Sequence, residues 1–387
     1  MTAQPQNDAI RLNQRQIYMH EAKQYPAPMA STSVTRGFEA AAIPKIVREL
    51  QDSSLIVRQK ALLASRELLG SPMAAVQCIA AGITPAILAL LQDRDPTVRV
   101  RAAGTAEYIV TKELGARDLC QHGGVQQLVA CLQDSHTPVR DAAYRALIEA
   151  ARFDIVRRTM AEQAALVQLM ELVQQETPSR ALLGLNLLNA CVQVRDNTAA
   201  LEQLVDAAKA IPALVSLLRP ETTELAEQAA QLLGLLTSRF EDAKCKAVES
   251  GAVPRLLQLL DSPILQLASA AATALMTITV ARDGKYAVIN TEGGLAKLVT
   301  QLNPLKQQLC VNVMIIITNL AEAPEARAVL AREGAAARLS EIFGMAAETG
   351  LLRSTAAQAI RQCGFTHLPY ELLQGEELPE YLRFPAE

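Results

Sequence analysis

Three Asp–Arg pairs recur with constant spacing in the N-terminal third of the chain. They lie in the segments LQDSSLIVR, LQDRDPTVR and LQDSHTPVR, and are Asp52 with Arg58, Asp93 with Arg99, and Asp134 with Arg140. Each Asp follows the previous one after 41 residues, and each Arg follows its Asp after six. A carboxylate and a guanidinium at this spacing can cap a helix, form an ion pair or bind a phosphate.

The constant step favours a structural role for these pairs. An Asp in the turn before a helix can accept hydrogen bonds from the free N–H groups of that helix. The Arg then lies in the first two turns of the helix and can reach the Asp of its own or the adjacent repeat. We therefore predict a ladder of ion pairs along one edge of stacked repeats. Because the later repeats lack the pair, the ladder should be confined to the N-terminal third.

Other residues capable of chemistry do not have the spacing of a known site. Cys120 and His122 form a single Cys-x-His without a second pair of metal ligands. The sequence contains neither a phosphate-binding loop nor a nucleophile elbow. We therefore expect no enzymatic activity, no metal and no cofactor. Seven Cys without paired spacing predict free thiols in a reducing, intracellular compartment.

Charge and hydropathy argue against nucleic acid and membranes as partners. The net charge of −3 provides no basic field that would attract nucleic acid or an anionic lipid surface. Residues 263–281 are apolar over about the length of a membrane span. They are nevertheless rich in Ala, Ser and Thr and include Gln266. We expect this segment to be a helix buried inside a repeat.

The elements that must position the Asp–Arg pairs are helices of a repeating unit. The step is continued by Gly-led segments such as GITPAILALLQD, GGVQQLVACLQD and GAVPRLLQLLD. A period near 40 residues with helical patterning is typical of armadillo and HEAT repeats. We predict an all-α, right-handed armadillo/HEAT-like α-solenoid of about eight three-helix repeats over residues 42–365. An N-terminal arm (1–41) would precede it and a C-terminal tail (366–387) would follow.

Third helices line the inner groove of armadillo proteins. The segment MIIITNLAEAP (314–324) resembles the end of such a helix, and Asn319 matches the Asn that binds the backbone of an extended peptide. Asn189 is a second candidate for this role, but the Trp that accompanies such Asn residues is absent from the chain. Counting through the repeats gives the predicted partner-binding groove: Lys60, Glu67, Arg101, Tyr108, Arg145, Glu149, Leu185, Asn189, Leu232, Leu236, Ile278, Asn312, Ile315 and Asn319.

The predicted groove changes character along the chain. It is charged in repeats 1–3 and apolar in later repeats, where Leu232 and Leu236 would receive a helix or segment of a partner. In the alternative interpretation the helical phase is shifted by one residue, and these Leu side chains belong to the core.

The first two repeats carry a more specific resemblance. AIPKIVRELQDSSLIVRQKALLASRELLGSP and AAGITPAILALLQDRDPTVRVRAAGTAEYIV resemble the armadillo-repeat proteins of ciliary radial spokes, the radial spoke head 14 type, over about 42–160. The resemblance implies a non-catalytic scaffold in the axoneme of a cilium or flagellum. Its partners would be other radial spoke subunits and doublet microtubule-associated proteins. The alternative is a cytosolic adaptor or transport-type armadillo protein that binds extended peptides reversibly.

Overall fold

The computed structural model describes residues 42–162, 165–192, 198–206, 209–345 and 350–365. The predicted N-terminal arm and C-terminal tail lie outside these residues. The described residues form 23 α-helices and no strand. The predicted all-α class is confirmed, and the helix order is that of an α-solenoid.

Repeat 1 has a second and a third helix within the described residues, and repeats 2–8 have three helices each. The helices of repeats 1–4 are α1 Ala42–Leu50, α2 Leu55–Leu69, α3 Pro72–Ala80, α4 Ile83–Ala89, α5 Pro96–Ile109, α6 Glu113–Gln121, α7 Gly124–Cys131, α8 Thr137–Ala150, α9 Asp154–Glu162, α10 Ala165–Gln175 and α11 Pro178–Val192. Those of repeats 5–8 are α12 Thr198–Asp206, α13 Ala210–Leu217, α14 Thr223–Arg239, α15 Glu241–Glu249, α16 Ala252–Leu259, α17 Leu265–Ile278, α18 Arg282–Ile289, α19 Gly294–Thr300, α20 Gln307–Leu320, α21 Pro324–Arg332, α22 Ala335–Met345 and α23 Leu351–Cys363.

Repeat 2 shows why these residues form a three-helix unit. Its first and third helices, α3 and α5, begin with Pro72 and Pro96 at the first helical position, where a missing N–H group costs little. Gly82 separates the first and second helices with φ +78°, a left-handed conformation that a side chain would strain. Asp95 caps α5 by accepting hydrogen bonds from the second and third residues of that helix.

The left-handed junction before the second helix recurs through the chain. Gly123, Gly251, Gly293 and Gly334 adopt φ values between +68° and +81° at the corresponding positions. In repeat 5 the same place is held by Lys209 with φ +47°, the one non-Gly residue with positive φ among the described residues. The Gly that leads each of these repeated segments therefore lies at a junction between the first and second helices.

The third helices pack through small and aliphatic side chains. A Cβ atom on Gly234 of α14 would lie 3.3 Å from the Cα of Ala274 in α17, so these two helices approach backbone to backbone. Ala, Leu, Val and Ile side chains dominate the buried core, which contains one fully buried aromatic side chain, Tyr144, within the described part of the chain. This close helix-on-helix packing accounts for the low aromatic content.

The chain divides into two compact units. Unit 1 ends at His122, so its described part consists of α1–α6, and unit 2 begins at Gly123 and contains α7–α23. The apolar segment 263–281 contributes α17 to unit 2, and most of its aliphatic side chains are buried. No single described helix is long and apolar enough to cross a membrane, and one bent pair, Pro72–Ala80 with Ile83–Gln92, meets those criteria by length and composition alone.

Candidate protein-binding faces and the Asp–Arg ladder

The Asp of each Asp–Arg pair stabilises the turn before the third helix. Asp52 Oδ1 accepts the Ser54 N–H at 2.7 Å, and Asp93 and Asp134 accept the N–H groups two residues later at 2.9 and 2.8 Å. These donors belong to the residue that precedes the helix. The prediction that these Asp residues cap the helix itself is therefore wrong, because each forms an Asx-turn one step earlier.

The Arg of each pair contacts its own turn in the same way in three repeats. The Nη1 groups of Arg58, Arg99 and Arg140 donate to the backbone carbonyl oxygen of the Asp six residues earlier, at 2.9, 2.9 and 3.1 Å. The six-residue spacing thus places the guanidinium over the turn. This contact is to the main chain, which leaves the carboxylate of the Asp accessible to a second Arg.

In unit 1 the ladder crosses between repeats as predicted. Arg58 Nε lies 2.8 Å from Asp93 Oδ2, and Arg58 Nη2 lies 3.3 Å from Asp93 Oδ1. Both side chains are largely buried, so this two-point contact joins repeats 1 and 2 in a setting with little water.

In unit 2 the ladder continues into repeat 4 with a different residue. Arg140 Nε lies 3.2 Å from Glu176 Oε1, and Glu176 Oε2 accepts from Arg180 Nε at 2.6 Å. The prediction that the ladder is confined to repeats 1–3 is therefore wrong. Glu176 takes the place of the Asp, and Arg180 follows it after four residues because this turn is shorter.

Tyr144 is buried close to these charges in unit 2. Burial, followed by the negative charge of Glu176, raises the pKa of Tyr144 to about 12. Its hydroxyl has no hydrogen-bond partner among the described residues. A Cβ atom on Gly184 would lie 3.7 Å from that hydroxyl oxygen and 2.5 Å from a methyl of Val173, so only Gly fits beside the ring.

The predicted groove residues of unit 1 lie at the surface of the third helices. Glu67 is exposed, and Lys60, Arg101 and Tyr108 are half-buried. Arg101 Nη1 donates to the Gln59 carbonyl oxygen at 3.2 Å, which links α5 to α2. In unit 2, Arg145 is exposed and Glu149 is half-buried on α8, where Glu149 pairs with Arg152 at 2.6 Å.

The structure adds Arg66 to the face of unit 1. Its guanidinium donates to the Tyr108 hydroxyl at 2.8 Å and lies 4.7 Å from the centre of the Tyr108 ring. Its position one residue before Glu67 on a predicted groove helix was the only signal in the sequence. Ile56, 62% exposed, also lies on α2 and adds an apolar element to the unit 1 surface.

Four predicted groove residues of unit 2 are part of the core. Leu185, Leu232, Leu236 and Ile278 are fully buried. The prediction that they form an apolar strip for a partner is wrong. The alternative of a phase shift by one residue is correct for α14 and α17, because each residue advances a helix by about 100° and the preceding side chain, not the predicted one, faces away from the core.

The surface positions of α14 and α17 lie one residue earlier than predicted. Gln231 is exposed, whereas Leu235 on α14 and Thr277 on α17 are half-buried. Polarity alone identifies Gln231 as the outward neighbour of Leu232, but nothing in the sequence distinguishes Leu235 from Leu236. The packing of α14 against α17 decides between them.

The predicted Asn residues serve mainly to join adjacent third helices. Asn189, 8% exposed, donates to the Gln228 carbonyl and amide oxygens at 3.1 and 2.8 Å. Asn312, 3% exposed, donates to Thr273 Oγ1 at 2.9 Å. These two side chains are not available to a peptide in a groove, which corrects the prediction for both.

Asn319 and Ile315 remain at the surface of α20. Both are half-buried. The Asn319 amide nitrogen donates to the Met276 carbonyl oxygen at 3.3 Å and to Thr279 Oγ1 at 3.2 Å. Its amide nitrogen is therefore already used to hold α20 against α17.

None of the seven Cys, all of which lie within the described residues, forms a disulfide bond. Burial raises the pKa of Cys78, Cys310 and Cys363 to about 11 and that of Cys191 to about 12. A thiol with so high a pKa is a poor nucleophile at neutral pH. In the described ranges, no three His, Cys, Asp or Glu side chains come together in a manner that could hold a metal ion.

Comparison with known proteins supports the repeat fold. The armadillo/β-catenin-like repeat family model matches residues 246–278, which cover part of α15 and all of α16 and α17. The crystal structure of an engineered protein matches with a TM-score of 0.63 at 20% identity, covering 86% of this chain and 93% of that protein. A second engineered protein matches with a TM-score of 0.54 at 25% identity, covering 61% of this chain and 98% of that one.

A curated relative matches along almost the whole chain. Radial spoke protein 14 of Chlamydomonas reinhardtii is 52% identical over 376 residues, which are 95% of this chain and 97% of the relative. Since the similarity extends far beyond the two repeats that first carried the resemblance, the chain belongs to the radial spoke protein 14 family of armadillo-repeat proteins.

Proposed function

We propose that the chain is a structural subunit of the radial spoke and holds other spoke subunits in fixed positions. The observation that carries the proposal is the 52% identity to radial spoke protein 14, which covers nearly all of both chains. The chain would then be located in the axoneme of a cilium or flagellum, and its partners would be neighbouring spoke subunits and doublet microtubule-associated proteins.

The third-helix faces support a role in protein binding. The surface of α2 and α5 includes the exposed Ile56 and the contact of Arg66 with Tyr108, and aromatic residues and Arg are enriched at protein–protein interfaces. On α17 and α20 the surface positions carry Thr, Met and Ile side chains without charge. These two faces would select different partner segments.

The alternative of a transport-type adaptor loses part of its support. It depended on Asn189 and Asn319 as clamps for a peptide backbone. Asn189 is buried, and the amide nitrogens of both residues donate within the chain. A permanent scaffold remains the function that the geometry supports best.

The experiment is replacement of the relative in its own organism. A tagged copy of this chain is expressed in a Chlamydomonas strain that lacks radial spoke protein 14, and the isolated flagella are extracted with detergent. We expect the chain to stay with the axoneme and to leave it in chaotropic salt together with spoke subunits. Release of the chain by detergent alone would contradict the proposal and favour a soluble adaptor.

A further inference from the structure

A polar cleft lies between α7 and α10, the second helices of repeats 3 and 4 in unit 2. It consists of two adjoining cavities of about 540 and 290 Å³ that share Gln133 and Gln168 in their walls. Gln175 lines the larger cavity, and Gln126 and Val129 line the smaller. We call this feature the α7–α10 cleft. None of the residues predicted from the sequence as the groove lines it.

Two later repeats carry a bridging side chain at the position that Gln168 holds in the cleft. In repeat 6, Arg255 is the fourth residue of the second helix and donates to the Val215 carbonyl oxygen of the preceding second helix at 2.6 Å. In repeat 7, Lys297 holds the same position and pairs with Asp261 at 2.6 Å. Gln168 is the fourth residue of α10 and makes no such bond to the preceding repeat within the described part of the chain.

The walls of the cleft offer unpaired amide groups. Among the described residues, the side chains of Gln126, Gln133, Gln168 and Gln175 have no hydrogen-bond partner. A Gln side chain offers N–H donors and a C=O acceptor, which can pair with the C=O and N–H groups of a peptide backbone. Gln168 and Gln175 are seven residues apart on α10, which is about 10.5 Å along the helix. Three residues of extended chain span about the same length, since each adds about 3.4 Å.

The charges of the cleft leave one carboxylate without a partner. Arg140 and Arg180 both contact Glu176, so these three side chains are occupied with one another at one end of the larger cavity. Glu171 also lines this cavity, is exposed and forms no ion pair with any described residue. A segment that fits these charges is uncharged apart from one basic side chain opposite Glu171.

We propose that the α7–α10 cleft binds an extended polypeptide segment of another spoke subunit, held by the four Gln amides, with its Lys or Arg paired to Glu171. The proposal rests on the proposed function, because it names the kind of segment that the scaffold holds at this place. The spacing of the Gln side chains fits an extended backbone, whose N–H and C=O groups are free to bond outward.

The test uses photo-crosslinking of the full chain in the assembled spoke. Recombinant chain with p-benzoylphenylalanine in place of Gln168 is added to a spoke extract from a Chlamydomonas strain that lacks radial spoke protein 14. The matched control carries the same residue in place of Gln258, which is exposed on the second helix α16. After irradiation, sedimentation shows whether the chain has joined the spoke, and mass spectrometry maps the crosslinked residues.

We expect the Gln168 position to crosslink to one contiguous segment of one subunit, and the Gln258 position not to reach that segment. The segment should lack acidic residues and contain a Lys or Arg. A synthetic peptide of the segment should bind the full wild-type chain in a fluorescence polarisation assay. It should bind Gln168→Arg, which restores the bridge of the later repeats, and Glu171→Gln about tenfold or more weakly. Arg255→Gln should leave its affinity unchanged.

Failure of this inference is distinguishable from failure of the proposed function. If the chain sediments with the spoke but the Gln168 position crosslinks to nothing or to the chain itself, the cleft inference is overturned and the spoke function stands. Equal affinity of the peptide for wild type and Gln168→Arg also overturns it. If the chain does not join the spoke at all, the proposed function fails first.

Discussion

In each unit one pair of neighbouring third helices can be compared, and the side chains that join the two helices differ between the units. In unit 1, α2 and α5 together contain seven charged residues. In unit 2, α17 and α20 contain none. The first pair is bridged by Arg101 and by Arg66 with Tyr108, and the second by Asn312 and Asn319.

The difference teaches that polar residues on a helix do not by themselves make a polar surface. Thr273, Thr277 and Thr318 donate their hydroxyls to backbone carbonyl oxygens three or four residues earlier, at 2.8 to 2.9 Å. Their hydrogen-bonding capacity is therefore partly used inside the helix. The face of α17 and α20 is therefore closer to an aliphatic surface than its sequence suggests, whereas that of α2 and α5 keeps its charges.

The largest expected effect tests which residues of α14 are core. Leu232→Ala and Leu236→Ala should each lower the free energy of unfolding by about 3 kcal/mol, because both side chains are fully buried and leave cavities. Leu235→Ala is the matched control and should cost less than about 1 kcal/mol. Urea denaturation followed by circular dichroism measures both. Equal costs at the three positions would restore the phase predicted from the sequence.

The next effect compares the ion pairs that join repeats in the two units. Asp93→Ala should cost about 2 to 3 kcal/mol, because it leaves the largely buried Arg58 without its carboxylate and removes the Asx-turn. Asp261→Ala breaks the more exposed pair with Lys297 and should cost below about 1 kcal/mol. Chemical denaturation at low and high salt provides the measurement. If Asp93→Ala lowers the free energy of unfolding no more than Asp261→Ala does, the ladder contributes no more to stability than a surface ion pair.

A smaller effect separates two Thr residues that look alike in sequence. Thr273→Val should cost about 1 to 2 kcal/mol, since the buried Asn312 loses the acceptor of its amide nitrogen. Thr318→Val should stay within about 0.5 kcal/mol, because its hydroxyl bonds only to the Met314 carbonyl oxygen. Thermal unfolding of the two variants side by side gives the comparison. If both variants unfold at the wild-type temperature, the hydrogen bond between Asn312 and Thr273 does not stabilise the packing of α20 against α17.

The smallest effect concerns the cap of α5 in unit 1. A hydrogen bond from the Thr97 hydroxyl, with further bonds from the Val98 and Thr97 N–H groups, lowers the pKa of Asp95 below its usual 3.8. The carboxylate therefore stabilises the fold above that pH, and the contribution is lost as the pH falls through the lowered pKa. Asp95→Asn, which keeps a capping oxygen, should show a weaker loss of thermal stability between about pH 4.8 and 2.8, one unit on either side of the usual 3.8. The same acid slope in wild type and Asp95→Asn would exclude the cap as its source.

Particular residues show where sequence reasoning succeeded. The contact of Arg58 with Asp93 followed from a carboxylate and a guanidinium at a constant step, since stacked repeats bring equivalent turns together. Gly82 and Gly251 lead two of the repeated segments and are left-handed in the structure, a conformation that few other residues adopt. These features depend on local spacing and on the period alone.

Other residues show where it failed. Glu176 is not predictable from the repeated pattern, because it is a Glu and Arg180 follows it after four residues instead of six, although its carboxylate still lies near Arg140. The α7–α10 cleft is not predictable from the sequence, because it depends on the distance between two second helices. The residue pattern of a single helix does not determine that distance. Asn189 is predicted to be a groove residue, but its amide forms the same kind of hydrogen bond with the adjacent helix as it would with a peptide in the groove. The sequence does not distinguish between these two partners.

The sequence by itself determined the repeat period, the all-helical class, the junctions between helices and the family, because these depend on residue types at fixed separations along the chain. The tertiary structure alone decided which side of each third helix faces a neighbour. Adjacent side chains on a helix diverge by about 100°, and an Ala- and Leu-rich helix such as α17 is apolar on most sides. Only contact with the next helix, at distances such as that between Gly234 and Ala274, selects the face that is buried.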